Sequence, residues 1–415
     1  MKRLRLFFYF IMAMVANLSA AYAYDVSIHG FLQGDYSVNT HYSSPNGGDF
    51  KLAEERIQLK LDASQDPFHV FIKGDAYVDH VNTGYGLQIR EGYVDYTASK
   101  WDLRLGRQVF TWGVGDMVFI NDIFPKDYDA LFSGKPLEYM KKGIDAAKIG
   151  IYPSFASFEL IATPFFTPNH YPDAQRFWMY DPMSSITDRD RAEPSASLKH
   201  TELAVRAYRE IAGVDVSLYF YRGFSREPVM VPDNMMMPTK LTTTYPELSV
   251  YGISLQGKLL DGVVSAEAGY HDSRQNRDGS DPFIPNSNVR FLVGYQYQMW
   301  EDFTAGTQYY GQYMCRYSDY LKNLPGGYPQ EDQLYSLLSI RLTQMLVHQT
   351  LKLSLFSFWN PTDRDYFINP ETKYNFTDHV WAAVGANIFG GAKNWTQFGQ
   401  FSKNDNIYVQ VRYEF

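Results

Sequence analysis

The chain has 415 residues and a formal net charge of −8, and 17 % of it is aromatic, with 33 Tyr and 29 Phe, yet its mean hydropathy is only −0.33. The acidic balance argues against nucleic acid as a partner, and the lack of any run of about 18 apolar residues excludes membrane-spanning helices. The single cysteine, Cys315, cannot form an internal disulfide, and no Cys-x-x-Cys-His is present to attach a c-type haem; Cys315 reads as an inert loop thiol, and no cofactor is expected.

Lys2, Arg3 and Arg5 precede an apolar stretch from Leu6 to Leu18 and a small-x-small triplet, Ala21-Tyr22-Ala23. That pattern reads as a cleavable export signal over 1–23, too short to span a bilayer comfortably, with no following Cys to make a lipoprotein. Three of the 38 Lys and Arg lie in it, so the mature chain from Tyr24 carries 35 against 46 Asp and Glu, a net charge of −11.

From there, polar–apolar alternation predicts strands at 26–37, 54–62, 68–79, 87–97, 101–110, 144–152, 158–165, 200–210 and 214–222. It continues at 248–259, 263–271, 289–298, 303–313, 334–343, 350–359, 365–376, 380–389 and 406–415. About 18 strands of this length suit a tilted membrane crossing. Every second connection is short: 63–67, 98–100, 153–157, 211–213, 260–262, 299–302, 344–349 and 377–379. Those between are mostly long, notably 111–143, 166–199, 223–247, 272–288 and 314–333. Short periplasmic turns and long external loops are the asymmetry of a transmembrane antiparallel up-and-down β-barrel. The even strand number puts both termini in the periplasm. No composition break marks a second domain, so 24–415 is expected to be one all-β barrel domain.

Alternation also assigns faces. Ile57, Leu59 and Leu61, Val70 and Ile72, Leu103 and Leu105, Val214 to Phe220 at every second position, and Leu351, Leu353 and Leu355 should face lipid. Their neighbours should line the lumen: Arg56, Gln58, Lys60, Lys73, Asp75, Asp102, Arg104, Lys148, Glu202, Arg206, Arg290, Arg341, Lys352 and Arg412. The basic members hint at a pore that favours anions.

At the end of the fifth predicted strand stands Leu105-Gly106-Arg107-Gln108-Val109-Phe110-Thr111-Trp112-Gly113-Val114-Gly115-Asp116, followed by Asn121-Asp122-Ile123-Phe124-Pro125-Lys126-Asp127-Tyr128. A strand rises to the rim, turns at two glycines and enters the third external loop, which is too polar for lipid and too long for a simple turn. Such a loop can fold into the barrel and bond to lumen side chains. Asp116, Asp122, Lys126, Asp127, Lys135, Lys141 and Lys142 would then help to form a constriction, with Arg104 and Arg107 on the facing wall. The alternative is that these residues cap the barrel from outside or bind lipopolysaccharide sugars.

Two resemblances follow from these residues. Asn406 to Phe415 alternates strictly and ends on an aromatic residue; it resembles the closing strand of bacterial outer-membrane barrels, which implies an outer-membrane location and engagement of the Phe415 strand by the barrel-assembly machinery. Gly106-Arg107-Gln108, Trp112-Gly113, Asp116, Asp122 and Pro125-Lys126-Asp127, with Phe389-Gly390-Gly391 and Thr396-Gln397-Phe398-Gly399, resemble porin-like outer-membrane families related to the alginate-export type. That implies a single-chain barrel of about 18 strands passing a small hydrophilic solute, and it does not carry over alginate as substrate.

Other chemistry is weaker. His41-x-Ser43 and His271-x-Ser273 set a base near a nucleophile, but no carboxylate is placed to orient either, and no enzyme is expected. Asn276 to Asp281 has a fragment of calcium-loop character without the closing Glu. The aromatic runs at Tyr219 to Tyr221, Tyr295 and Tyr297, and Tyr309-Tyr310 suit an interface girdle better than a sugar slide. Two functions remain: a diffusion channel for small hydrophilic solutes, anionic or sugar-like ones included, or the barrel scaffold of an export or porin-cytochrome conduit complex. Membrane lipid and lipopolysaccharide are expected partners, and self-association is left open.

Overall fold

The computed structural model describes residues 25–415 except 83 and 236; the export-signal expectation over 1–23 lies outside the described residues. Its first strands are β1 (Asp25–Asn39), β2 (Phe50–Gln65), β3 (Phe68–Asp79), β4 (Gly84–Thr97), β5 (Trp101–Gln108), β6 (Ile144–Ile151), β7 (Ser157–Thr163), β8 (Asp188–Ala192), β9 (Glu202–Ile211) and β10 (Val214–Phe224). They are followed by β11 (Val229–Pro232), β12 (Lys240–Thr244), β13 (Glu247–Leu259), β14 (Gly262–Ser273), β15 (Asn288–Trp300) and β16 (Phe303–Met314). The chain ends with β17 (Leu334–Leu346), β18 (Leu351–Asn360), β19 (Asp365–Asn375), β20 (Val380–Gly391) and β21 (Asn406–Glu414).

Eighteen of these form one antiparallel sheet. Each barrel strand pairs with the next along the chain, and β21 pairs with β1 from Phe31↔Glu414 to Asn39↔Asn406, so the sheet closes and has no free edge. All eighteen predicted strands are present. At the seam, Gly30 and Phe415 exchange both backbone hydrogen bonds at 2.9 Å, so the last residue is part of the ladder. Two of the shortest connections, Ala212-Gly213 and Leu260-Asp261, carry positive φ at both positions, the turn whose twist matches the flanking strands.

Burial alternates along the strands. In β21, Val411 is 51 % exposed while the neighbouring Gln410 is 3 % exposed. The same inversion recurs at Leu218 against Ser217: the apolar side chain looks outward and the polar one inward, the pattern of a wall bathed in lipid.

Beyond the barrel, β8, β12 and β11 form a small sheet, β12 parallel to β8 and antiparallel to β11. Alternation could not reveal it, because Asp188-Arg189-Asp190-Arg191 has no apolar face and every residue of β8 is exposed. Two short helices lie in connections, α1 (Tyr128–Ser133) and α2 (Tyr317–Asn323).

Candidate functional site

The segment 109–143 between β5 and β6 is built around glycines that let it leave the wall. Gly106 has φ +129°, and a Cβ there would sit 2.3 Å from the Gly92 carbonyl; Gly113 has φ +78°, and a Cβ would sit 2.6 Å from Glu267 Oε1. A side chain at either place would strain the backbone and displace the facing group. Between them Phe110, Trp112 and the later Phe124 pack on one another and on Tyr219, with centroids 4.8, 5.1 and 5.6 Å apart, while the Trp112 indole N–H donates to Glu159 at 3.2 Å.

The buried Glu267 of β14 then collects the turn. Its carboxylate accepts from the N–H groups of Val114 at 2.7 Å, Gly115 at 3.2 Å and Asn121 at 2.8 Å. Asp116 reaches further: its backbone exchanges hydrogen bonds with Gln308 of β16 at 2.8 and 3.0 Å, and its carboxylate holds the Arg341 guanidinium of β17 through two bonds, one of 2.8 Å. β5 and β17 are the fifth and fourteenth strands of the 18-strand ring, half a circumference apart. Glu267 and Arg341 sit mid-strand, so these contacts run from wall to wall at mid-barrel height.

Further on, Asp127 caps α1 by accepting from the Ala130 N–H at 2.9 Å. Phe132 inserts among Phe367, Phe389 and Phe401, with centroids 5.0 to 5.6 Å away, and its carbonyl accepts from Asn387 at 3.0 Å and Asn406 at 3.1 Å. Gln410 donates to the Gly134 carbonyl at 2.7 Å. Lys135 binds Glu54 of β2 at 2.6 Å, and Glu138 binds Arg412 of β21 at 2.6 Å. Burial raises the Glu138 carboxyl, but the Arg412 guanidinium, together with Lys73 and Arg90, outweighs it and holds the group below the usual value. Tyr139 lies between the Arg56 and Arg90 guanidiniums, 4.5 and 4.0 Å from its ring centre.

The expected site residues separate into groups. Asp122 and Lys126 are buried and pair with each other at 2.9 Å; burial pushes the Lys126 ammonium down, with Asp122 opposing, and the pair stiffens the loop internally. Asp127 is bonded to His170 at 3.0 Å. Arg104 does not meet the loop: it is clasped by Asp95 at 2.6 and 2.9 Å on its own wall. Arg107 binds Asp145 at 2.7 Å. Lys73 lies 3.6 Å from Glu91, Lys148 3.2 Å from Asp102 and Arg206 3.7 Å from Glu159. Among the described residues, Arg290 donates a hydrogen bond to Asn288 at 3.0 Å. Lys60 and Lys352 have no ion-pair partner among the described residues; each stands directly across from another lysine, Lys73 and Lys373 respectively.

Sequence reasoning missed Glu267, Asn387, Asn406 and Gln410, the loop's anchors on the walls. One signal was available for the first, a lone inward carboxylate between two alanines in Ala266-Glu267-Ala268. His271, weighed earlier as a base, is buried and its Nε2 is 3.1 Å from the Ile120 carbonyl, so it too holds the loop. Asn276 closes its own turn by donating to the Asp281 and Ile284 carbonyls at 2.9 and 2.6 Å.

Beside β2 to β5 the segment borders open space in two cavities. One, of about 270 Å³, is bounded by Glu54, Arg56, Lys135, His170 and Arg176; the other, of about 140 Å³, by Arg90, Arg107, Lys141 and Lys142. Gln88, Asp127 and Tyr139 border both.

Solved structures share this architecture. Pseudomonas aeruginosa OccK2 (OpdF), in complex with glucuronate, aligns with a TM-score of 0.57 over 94 % of this chain and 98 % of its own, at 10 % identity. OccD3 (OpdP) of the same organism aligns at 0.55 over 94 % and 91 %, at 9 % identity. OccK5 (OpdH) aligns at 0.55 over 94 % and 98 %, also at 9 %. No protein-family model matches the sequence, and no curated protein is similar to it. At these identities the likeness establishes the fold alone, a closed antiparallel β-barrel shared with these structures.

Proposed function

We propose that the chain is an outer-membrane channel through which small hydrophilic solutes diffuse, with the 109–143 segment as its constriction. The observation that carries this reading is the wall-to-wall anchoring of that segment at mid-barrel height, from Glu267 and Arg341 on one side to Glu54 and Arg412 on the other. A loop so held narrows a bore to gaps lined by charged side chains, and such gaps select by size and charge. Because Lys60 and Lys352 stand on the inner wall without ion-pair partners among the described residues, each across from a second lysine, the filter favours anions and sugar acids; a neighbour of the same fold was solved with glucuronate. In this reading both termini are periplasmic, the small β8–β11–β12 sheet is external, lipid and lipopolysaccharide surround the barrel, and the Phe415 strand is the feature met by the assembly machinery. Kinship with the alginate-export type rests on the Gly106 to Asp127 pattern.

The scaffold alternative is disfavoured by the same anchors, since a lumen crossed by the chain's own loop has no bore for a partner protein. Liposome swelling tests the proposal. Reconstituted protein should admit glucose and, faster, glucuronate, and should exclude a large dextran. Absence of swelling with every small solute would overturn it.

A further inference from the structure

The connection after β7 docks on the constriction segment by backbone pairing. His170 N–H donates to the Lys126 carbonyl and Tyr128 N–H to the His170 carbonyl, both at 2.8 Å, and the Tyr128 and Tyr171 rings stack 5.4 Å apart. This register sets the His170 Nδ1 3.0 Å from Asp127 Oδ1. Asp129, two residues on in the first turn of α1, brings a second carboxylate. One ligand atom from each of Asp127, Asp129 and His170 lies within 4.8 Å of the others.

Asp129 itself is the second observation. It is only 8 % exposed, its single hydrogen bond is a long one of 3.4 Å from the Asp173 N–H, and no cation pairs with it among the described residues. The basic groups near it are committed elsewhere: Lys135 to Glu54 at 2.6 Å, Arg176 to Asp79, and Lys51 to the Arg176 carbonyl at 2.5 Å and Asn404 at 2.8 Å. Arg176, Lys135 and Lys51 act on Asp129 only from beyond ion-pair distance; a buried carboxylate without a direct ion-pair partner is costly, and a bound cation reduces that cost. The cavity of about 270 Å³ reaches all three side chains, which leaves room for an ion and its remaining waters.

We propose that Asp127, Asp129 and His170 form a divalent transition-metal site that staples the connection after β7 to the constriction segment. One imidazole and two carboxylates with a water in the fourth position suit zinc, whereas calcium and magnesium prefer an all-oxygen shell. The proposal does not depend on the channel reading, because the cluster is defined by two loops irrespective of what crosses the barrel.

The test uses the full barrel in detergent, stripped with chelator and titrated calorimetrically at neutral pH with zinc chloride alone, then with calcium chloride. One zinc per chain is expected, with at least a tenfold loss of affinity in Asp129→Asn and in His170→Ala and little calcium binding. His170 is exposed, so its variant should keep the fold. X-ray absorption at the zinc edge of the unaltered protein should report one imidazole nitrogen among oxygen ligands, a readout independent of any variant. No zinc uptake, equal affinity in the wild type and both variants, or a spectrum without imidazole would overturn the proposal.

Discussion

Glu267→Ala is the substitution that should most change the interior while leaving the wall intact. Glu267 is buried mid-strand in β14 and accepts two short bonds, 2.7 Å from Val114 and 2.8 Å from Asn121, besides a longer one from Gly115. Hydrogen bonds to a charged acceptor contribute about 1.5–3 kcal/mol each, so losing the two short ones weakens docking of residues 113–121 by about 3–6 kcal/mol. That shifts the ratio of detached to docked loop by about 10²–10⁴-fold. The second half of the segment should stay in place, since Phe132 and Gly134 are bonded to Asn387, Asn406 and Gln410. Single-channel recording should therefore show larger and noisier conductance, and limited proteolysis should cut between 109 and 125, in a barrel that still migrates as folded before heating. Glu267→Gln, which retains one acceptor oxygen, should fall between. Wild-type conductance together with wild-type protease resistance in Glu267→Ala would refute the anchoring role.

Three further outcomes are expected. Arg341→Ala removes the contact of Asp116 with the opposite wall; both side chains are a third or more exposed, so the loss of docking should be no more than about 1 kcal/mol, read as a modest conductance rise much smaller than that of Glu267→Ala. The double variant Lys60→Glu, Lys352→Glu should move the reversal potential in a salt gradient toward cation preference, and an unchanged potential would remove these lysines from the filter. Glu138 is held below its ordinary value while paired with Arg412; its contribution is therefore fully present above the ordinary Glu range and is lost as pH falls through the lowered value. Protease protection of residues 134–140 should thus persist at neutral pH, fall on strong acidification, and lose this acid-dependent increment in Glu138→Gln.

Much of the barrel was legible because period-2 alternation reports, strand by strand, which side chains face outward. All eighteen strands and the inward placement of Arg56, Asp75, Glu202 and Arg412 follow from it. The loop was also visible as an anomaly, a long polar stretch with Gly106 and Gly113 where the chain must bend. What alternation cannot report is what meets across the lumen. Glu267 and Val114 are far apart in sequence, and nothing local in either announces the other. Asp122 and Lys126 looked like free pore charges because their four-residue spacing outside a regular helix gives no sign that they bury each other. Arg104 was assigned to the loop's facing wall, whereas its guanidinium is held by Asp95 on the adjacent strand, a cross-strand neighbour that only the register reveals.

Conductance of the purified protein, alone in a planar bilayer, tests the central claim most directly. The account predicts steady ohmic steps with reproducible ion selectivity in the absence of any other protein. A bilayer that stays closed until a partner protein is added would contradict it.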